Sequence, residues 1–168
     1  MKSMARKKRQ TGFTLVELII SICIAAILGS IALSQLRDYT RRAKISEVVM
    51  ALSRCKNTVT ENFLTLDSAP APGKWGCEGS GGSYYAGNIQ TSSDGVIRVP
   101  ISNLDGLMNG RYIYLVPGKA SGAAMSAPAD LGKGIASWIC GSDWSPVRNA
   151  LPVNCRTDTT TYSSQDFS

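Results

Sequence analysis

One carboxyl group is the clearest chemical feature of the amino-terminal sequence. Glu17 is the only charged residue in the 24 residues from Phe13 to Leu36, which are otherwise mostly apolar. A carboxylate surrounded by hydrocarbon is costly unless it has a partner, and ionisable residues in membrane segments are usually paired and functional. The sequence therefore predicts that Glu17 binds a positively charged group.

The junction between Gly12 and Phe13 separates this apolar run from a basic segment. The first 12 residues contain no acid and five bases, which are Lys2, Arg6, Lys7, Lys8 and Arg9. As a helix, the 24-residue run would be ~36 Å long at ~1.5 Å per residue, enough to cross a hydrocarbon core of about 30 Å. Basic residues before such a span favour a cytoplasmic amino end, so we expect the rest of the chain to be exported.

The sequence Gly12-Phe13-Thr14-Leu15-Val16-Glu17-Leu18 matches the cleavage and methylation motif of type IV prepilins, and the chain resembles a type IVa major pilin precursor. The resemblance implies that a prepilin peptidase cuts between Gly12 and Phe13 and methylates the new amine of Phe13. A secretory signal is cut after its apolar core. Here the cut precedes the core, so the hydrophobic helix is retained. Minor pilins and type II secretion pseudopilins share the motif.

The same resemblance implies an assembly role for Glu17. Processing creates a positive amine at Phe13, and a residue four positions later lies about one helical turn away on the same side. In this family the matching glutamate pairs with the amine of an adjoining subunit and sets the axial register. The alternative is a carboxyl group that lies at the membrane edge without a partner.

Small residues recur along the apolar run and favour close packing of helices. They form two rows at four-residue spacing, Ser21-Ala25-Gly29 and Ala26-Ser30-Ser34. The chain departs from the common pilin pattern at Ser34, where many members have proline, and at Ala26, where many have glycine. These departures leave open whether the helix melts in a filament.

Residues 37–66 are predicted to continue the helix as an amphipathic stalk. Apolar residues recur at steps of three or four, at Ile45, Val48, Val49, Leu52, Cys55, Val59, Phe63 and Leu66. Four basic residues lie near the start of this segment: Arg37, Arg41, Arg42 and Lys44. Two interpretations of this basic cluster stay open: a solvated or lipid-headgroup face, and a charged contact with neighbouring subunits.

Residues 67–156 are predicted to form a globular head. Pro, Gly and Ser dominate from Asp67 to Gly87, which indicates a loop. Three segments rich in β-branched and aromatic residues then predict strands, at Val96–Ile101, Arg111–Val116 and Ile135–Cys140, with Asn109-Gly110 and Pro117-Gly118 as turns between them. We expect an α+β fold of the type IV pilin kind, in which an antiparallel sheet packs on the long amino-terminal helix.

Four of the five cysteines fall in the exported part, where disulfides can form. Four cysteines allow three connectivities, and we favour the sequential pairs Cys55–Cys77 and Cys140–Cys155. The segments Trp138–Cys140 and Leu151–Arg156 resemble the carboxyl-terminal disulfide loop of type IVa pilins. Cys23 lies in the apolar run and is expected to be a small apolar residue.

Residues 157–168 are polar and rich in Ser and Thr, which predicts a mobile tail. The last residue, Ser168, is a possible glycosylation site, because some pilins carry a glycan on a terminal serine.

Several classes of chemistry do not fit the sequence. The chain has no histidine, which excludes Ser-His and Cys-His nucleophilic pairs, and its cysteine spacing does not suggest zinc. Gly79-Ser80-Gly81-Gly82 lacks the lysine and the helix that follow a phosphate-binding loop. We therefore expect no catalytic residue, no metal and no cofactor.

The predicted function is that of a structural subunit, the major pilin of a type IV pilus. The expected partners are other pilin subunits, the prepilin peptidase, the inner membrane, the pilus assembly machinery, and DNA or host surfaces. The alternatives are a minor or competence pilin with a DNA-binding head and a type II secretion pseudopilin. Residues 62–168 carry seven Lys and Arg against eight Asp and Glu, which disfavours DNA binding.

Overall fold

The computed structural model describes residues 12–167. The leader before Gly12, and Ser168 with its predicted glycan, lie outside the described residues. The chain divides into two compact units, one that ends at Arg37 and one from Asp38 to Ser168. Helix α1, Leu15–Thr65, contributes residues to both units.

The second unit contains a sheet of six strands in the order of the sequence. The first five strands pair antiparallel with their neighbours. The strands are β1 Gly79–Ser80, β2 Asn88–Thr91, β3 Ile97–Pro100, β4 Tyr112–Gly118, β5 Ser137–Ser142 and β6 Thr157–Asp158. Two short helices, α2 Ala127–Asp130 and α3 Ser145–Ala150, lie in the connections. The predicted α+β fold, with its long amino-terminal helix, is confirmed.

The last strand departs from the antiparallel pattern. β6 pairs parallel to β5, with Gly141 opposite Thr157, and α3 lies in the crossover that a parallel pair requires. A Cβ atom on Gly141 would come within 1.8 Å of the Thr157 carbonyl oxygen. Glycine at this position therefore allows β6 to approach β5.

The apolar stripe of α1 forms one wall of the main core. Ile45, Val48, Leu52, Cys55, Val59 and Phe63 are completely buried, together with Ile97, Val99 and Ile113 of the sheet. Val49 is only partly buried, and Leu66 follows the end of the helix with 36% of its surface exposed. The three-to-four-residue spacing thus identified the buried face of α1 correctly except at its margins.

Two disulfides join parts of the second unit that are close in sequence. Cys55 of α1 is bonded to Cys77 in the loop that follows the helix. Cys140 of β5 is bonded to Cys155, which lies in a 3-10 turn, Val153–Cys155. The second bond closes the loop that contains α3 and therefore holds the crossover between β5 and β6.

A carboxylate that the sequence analysis overlooked organises the loop around Cys77. One oxygen of Glu78 accepts hydrogen bonds from the backbone N–H of Trp75 at 2.7 Å and from the Thr91 hydroxyl. The other accepts the N–H groups of Gly76, at 2.8 Å, and Cys77, at 3.0 Å. Partial burial alone would raise the pKa of Glu78, but the hydrogen bonds outweigh this effect and hold the pKa below its ordinary value.

The structure corrects two expectations about the sheet and its surroundings. Pro117-Gly118 is part of β4 rather than a turn after it. Pro117 is paired with Trp138 of β5, but β3 pairs with β4 only as far as Leu115. Pro117 therefore has no β3 neighbour on its other side, and an edge of this kind tolerates proline.

The expectation of a mobile tail after Cys155 is also wrong for the described residues. Thr157 and Asp158 form β6, and Phe167 makes a β-bridge with Ser92. The Phe167 ring lies 3.9 Å from the Arg98 guanidinium carbon and 6.2 Å from the Tyr114 ring. The tail thereby covers a second apolar cluster, made of Val96, Tyr114 and Val116, on the sheet face opposite α1, because alternate residues of a strand point to opposite faces.

The Glu78 network predicts a pH-dependent contribution to stability. Because the pKa of Glu78 is lower in the folded chain than its ordinary value of 4.5, its stabilisation is present above pH 4.5 and is lost as the pH falls through the folded pKa. Glu78→Gln should reduce the free energy of unfolding at neutral pH by about 1 kcal/mol, since the carboxyl is partly solvated and each lost charged hydrogen bond is modest. Urea unfolding of the full chain in detergent, followed by tryptophan fluorescence, measures this change.

Glu61→Gln is the matched control, because Glu61 lies on the exposed side of α1. The difference between Glu78→Gln and the unmodified chain should shrink as the pH falls below 4.5. A difference that is constant from neutral to acid pH would contradict the role of the Glu78 carboxylate.

Candidate processing and assembly segment

The first turn of α1 is built around a threonine that the sequence analysis overlooked. The Thr14 hydroxyl oxygen accepts a hydrogen bond from the Glu17 backbone N–H at 3.3 Å, and the helix begins at Leu15. Thr14 and Glu17 have the T-x-x-E spacing of a helix capping box, and this spacing was the signal in the sequence. An acidic residue in the first turn is also favourable near the positive end of the helix dipole.

The helix therefore starts two residues later than the apolar run. Phe13 precedes the first helical turn. The expectation that helical spacing brings Phe13 and Glu17 to one side therefore does not apply to the uncut chain. Gly12 and Glu17 are exposed, and Phe13 has 72% of its surface exposed. Apart from its chain neighbours, no described residue has an atom within 4 Å of the place where a Cβ on Gly12 would stand. The backbone at the predicted cleavage site is accessible.

The large apolar residues from Phe13 to Leu36 are exposed. Leu15, Ile27 and Leu33 have 75%, 64% and 59% of their surface exposed. An 18-residue window of α1 has a mean hydropathy of 2.5 and no part of it is buried inside the chain. By length and composition, α1 is the one helix among residues 12–167 that could cross a membrane.

Polar and small residues of this segment are suited to an apolar environment. The hydroxyl of Ser21 donates to the Glu17 carbonyl at 2.7 Å, and that of Ser30 donates to the Ile27 carbonyl at 2.7 Å. These hydroxyls are thus satisfied by their own helix. Apart from the backbone of its own helix, no described atom lies within 4 Å of a Cβ built on Gly29, which leaves room for another helix to approach. Cys23 is exposed and has a free thiol.

Part of the basic cluster at the start of the stalk contacts the head of the same chain, which neither interpretation from the sequence included. Arg41 binds Asp105 of the head, with Nε to Oδ2 at 3.0 Å, and also contacts Asp38 at 3.4 Å. Lys44 lies over the Tyr85 ring, 5.1 Å from its centroid. Part of this cluster therefore stabilises the second unit. The side chain of Arg42 is exposed and has no ion-pair partner among the described residues.

Most basic side chains of the head are engaged within the chain. Lys119 and Lys133 both bind Asp130 at 2.9 Å, and Arg148 contacts Asp158 at 3.3 Å. The pKa of Asp130 is held well below its usual range by these two lysines. Two arginines stack on aromatic rings instead, Arg98 on Tyr112 and Phe167 and Arg111 on Trp144. These contacts hold the basic side chains against acidic and aromatic partners of the same chain.

Comparison with known proteins identifies both parts of the chain. Residues 7–33 match the model of the prokaryotic N-terminal methylation motif. Residues 41–156 match the model of pilin, described as a bacterial filament protein. The first match contains Gly12, Phe13 and Glu17, and the second contains all four disulfide cysteines.

Relatives match over most of the chain. A type IV major pilin protein PilE of Neisseria gonorrhoeae is 31% identical over 90% of this chain and 84% of its own length. A fimbrial protein of Neisseria meningitidis serogroup B is 31% identical over 79% of this chain and 73% of its own length. A fimbrial protein of Pseudomonas aeruginosa is 40% identical over 34% of this chain and 37% of its own length. The chain therefore belongs to the pilin family of bacterial filament proteins.

Proposed function

We propose that this chain is the major structural subunit of a type IV pilus, stored in the inner membrane and polymerised into an extracellular filament. The observation that carries the proposal is its similarity, over 90% of its length, to a protein named as a type IV major pilin. The pilin family is a structural family, and we assign no enzymatic activity to the chain.

The exposed first half of α1 supports polymerisation. Within residues 12–167, nothing covers its leucines, isoleucines and valines. Burying one such side chain contributes about 1.5–3 kcal/mol. A lipid bilayer provides that burial before assembly, and the helices of other subunits provide it in a filament. The two environments correspond to the proposed inner-membrane pool and the proposed filament core.

Processing by the prepilin peptidase is the step that commits a subunit to assembly. Removal of the leader, residues 1–12, exposes the amine of Phe13, and methylation follows. We infer that the assembly machinery then places this amine beside Glu17 of an adjoining subunit. The filament could serve adhesion, motility or DNA uptake, and the proposal includes all three uses.

The minor-pilin and pseudopilin alternatives differ from the major pilin in abundance. Filaments sheared from the cell surface should contain this protein as their dominant component. A trace amount in sheared filaments would favour a minor pilin, and absence from surface filaments would favour a secretion pseudopilin.

Cleavage between Gly12 and Phe13 is the first testable consequence. The intact mass of filament protein should correspond to residues 13–168 with one added methyl group. Gly12→Leu should leave full-length precursor in the membrane, because a side chain would obstruct the exposed backbone that the peptidase approaches. Filament protein that retains residues 1–12 would contradict the proposal.

Glu17 should act in assembly rather than in folding. Glu17→Ala and Glu17→Gln should both yield processed, membrane-inserted protein and a sharp loss of surface filaments, because neither residue can bind the Phe13 amine as a carboxylate does. Glutamine also suits the capping position. The Glu17→Gln variant therefore removes the charge without removing the capping residue, and so separates these two effects. Immunoblots of membrane and sheared fractions measure both quantities.

Glu47→Ala is the control for Glu17→Ala, since Glu47 lies on the exposed side of α1 in the second unit. It should change filament yield much less. Normal filament yield from Glu17→Gln would assign Glu17 to helix capping alone and would refute its role in assembly.

The cysteine pairing should persist in assembled filaments. Non-reducing peptide mapping should find Cys55 with Cys77 and Cys140 with Cys155. Loss of either bond, through a paired Cys→Ser replacement, should destabilise the head by about 3 kcal/mol in the chain-entropy model for loops of this size. A crossed pair in the peptide map would contradict this connectivity.

A further inference from the structure

A mixed basic and aromatic surface lies at the end of the head where the second unit's part of α1 begins. We propose that this surface, here called the basal patch, docks on anionic phospholipid headgroups while the subunit is in the membrane before assembly. The basal patch is formed by Arg42, Leu107, Arg111, Trp144 and Pro146. The inference rests on the proposed function, because it requires the first half of α1 to lie in a bilayer.

The Arg41–Asp105 ion pair positions one side of the basal patch. Asp105 binds Arg41 through Oδ2 at 3.0 Å and accepts the N–H groups of Leu107 and Met108 through Oδ1, both at 3.0 Å. The same carboxylate therefore fixes the turn and anchors it beside the first residues of α1 in this unit. Leu107 is held outward, with 52% of its surface exposed, although Met108 beside it is buried.

Helix α3 forms the other side. Arg42, Leu107 and Pro146 line one shallow cavity of about 200 Å³, so the turn, α1 and the start of α3 meet at this end of the head. Trp144 immediately precedes α3 and has 36% of its surface exposed. The Arg111 guanidinium carbon lies 4.1 Å from the centroid of the Trp144 indole. The basal patch thus combines two arginines with an exposed leucine and an exposed indole.

This composition matches the interfacial layer of a membrane. Tryptophan is enriched at that layer, where its ring contacts acyl chains and its N–H contacts polar groups. An arginine guanidinium binds phosphate through two parallel hydrogen bonds. Residues 37–44 contain four basic residues and one acid. Arg41 is paired with Asp105, and the positive charge that remains adds to the attraction for an anionic surface.

Only a short stretch of chain connects the apolar run to the basal patch. Six residues lead from Leu36 to Arg42, and six residues of helix are ~9 Å long. The headgroup layer on each side of a bilayer is about 5–8 Å thick. A long arginine side chain so close in sequence to the apolar run can reach lipid phosphates along its aliphatic stem.

Trp144 itself provides the measurement. The chain has three tryptophans; Trp75 is buried, with 1% of its surface exposed, and Trp138→Phe removes the remaining competing signal. The full chain with Trp138→Phe is inserted in vesicles of phosphatidylcholine, with or without phosphatidylglycerol. Quenching by lipids brominated near the headgroup then reports contact of Trp144 with the bilayer.

We expect stronger quenching when phosphatidylglycerol is present, and loss of the difference at high salt. In the same background, Arg42→Glu should lower the docked fraction about five-fold or more, since one basic residue near an anionic surface contributes about that factor. Arg42→Lys should keep most of the docking because it keeps the charge. Lys74→Glu, an equal change of charge at another exposed residue, should have no effect.

Three results would overturn the inference. The first is equal quenching in the two kinds of vesicle, and the second is the same loss from Lys74→Glu as from Arg42→Glu. The third is an Arg42→Glu variant that loses filament yield with unchanged quenching, which would assign the basal patch to a neighbouring subunit.

Co-flotation separates this inference from the proposed function. A chain that floats with vesicles without quenching of Trp144 refutes the docking alone, and a chain that floats with neither vesicle refutes the membrane span as well.

Discussion

The structure depends on how the apolar surface of one long helix is covered. In the second unit, the stripe from Ile45 to Phe63 is completely buried against the chain's own sheet. In the first unit, the apolar residues from Phe13 to Leu36 are exposed on every side. Because exposed apolar surface of this extent is strongly unfavourable in water, the first half of α1 requires lipid or other subunits. The fold therefore makes association with a second phase or a second molecule obligatory.

The charged groups have different roles in the head and in the exposed apolar segment. In the head they act locally: Asp130 holds two lysines, Glu78 holds a loop, and Arg98 is stacked between aromatic rings. In the exposed apolar segment Glu17 is the single charge. The side-chain hydrogen bonds described for it, with Thr14 and Ser21, involve its backbone N–H and carbonyl rather than its carboxylate. A carboxylate of this kind can favour one arrangement of neighbouring helices over others, which apolar packing alone does poorly.

Features that depend on local spacing could be predicted from the sequence. The three-to-four-residue repeat identified the buried face of α1, because helical periodicity is fixed by the backbone. Contacts between distant segments could not be predicted in this way. Thr91, which binds Glu78, lies 13 residues further along the chain, and the role of Phe167 depends on its contacts with Arg98 and Tyr114. Pro117-Gly118 resembles a turn locally, yet the end of β3 allows it to remain in β4. Thr14 was overlooked although its T-x-x-E spacing with Glu17 is local.

The central claim is that the exposed half of α1 is covered by other subunits in a register set by Glu17. A cryo-electron microscopy map of the native filament, at a resolution that shows side chains, tests it most directly. The account predicts the Glu17 carboxylate within about 2.7–2.9 Å of the Phe13 amine of an adjoining subunit, with the residues from Phe13 to Leu36 buried among neighbouring helices. A filament in which Glu17 faces solvent, or in which these helices remain exposed, would contradict the account.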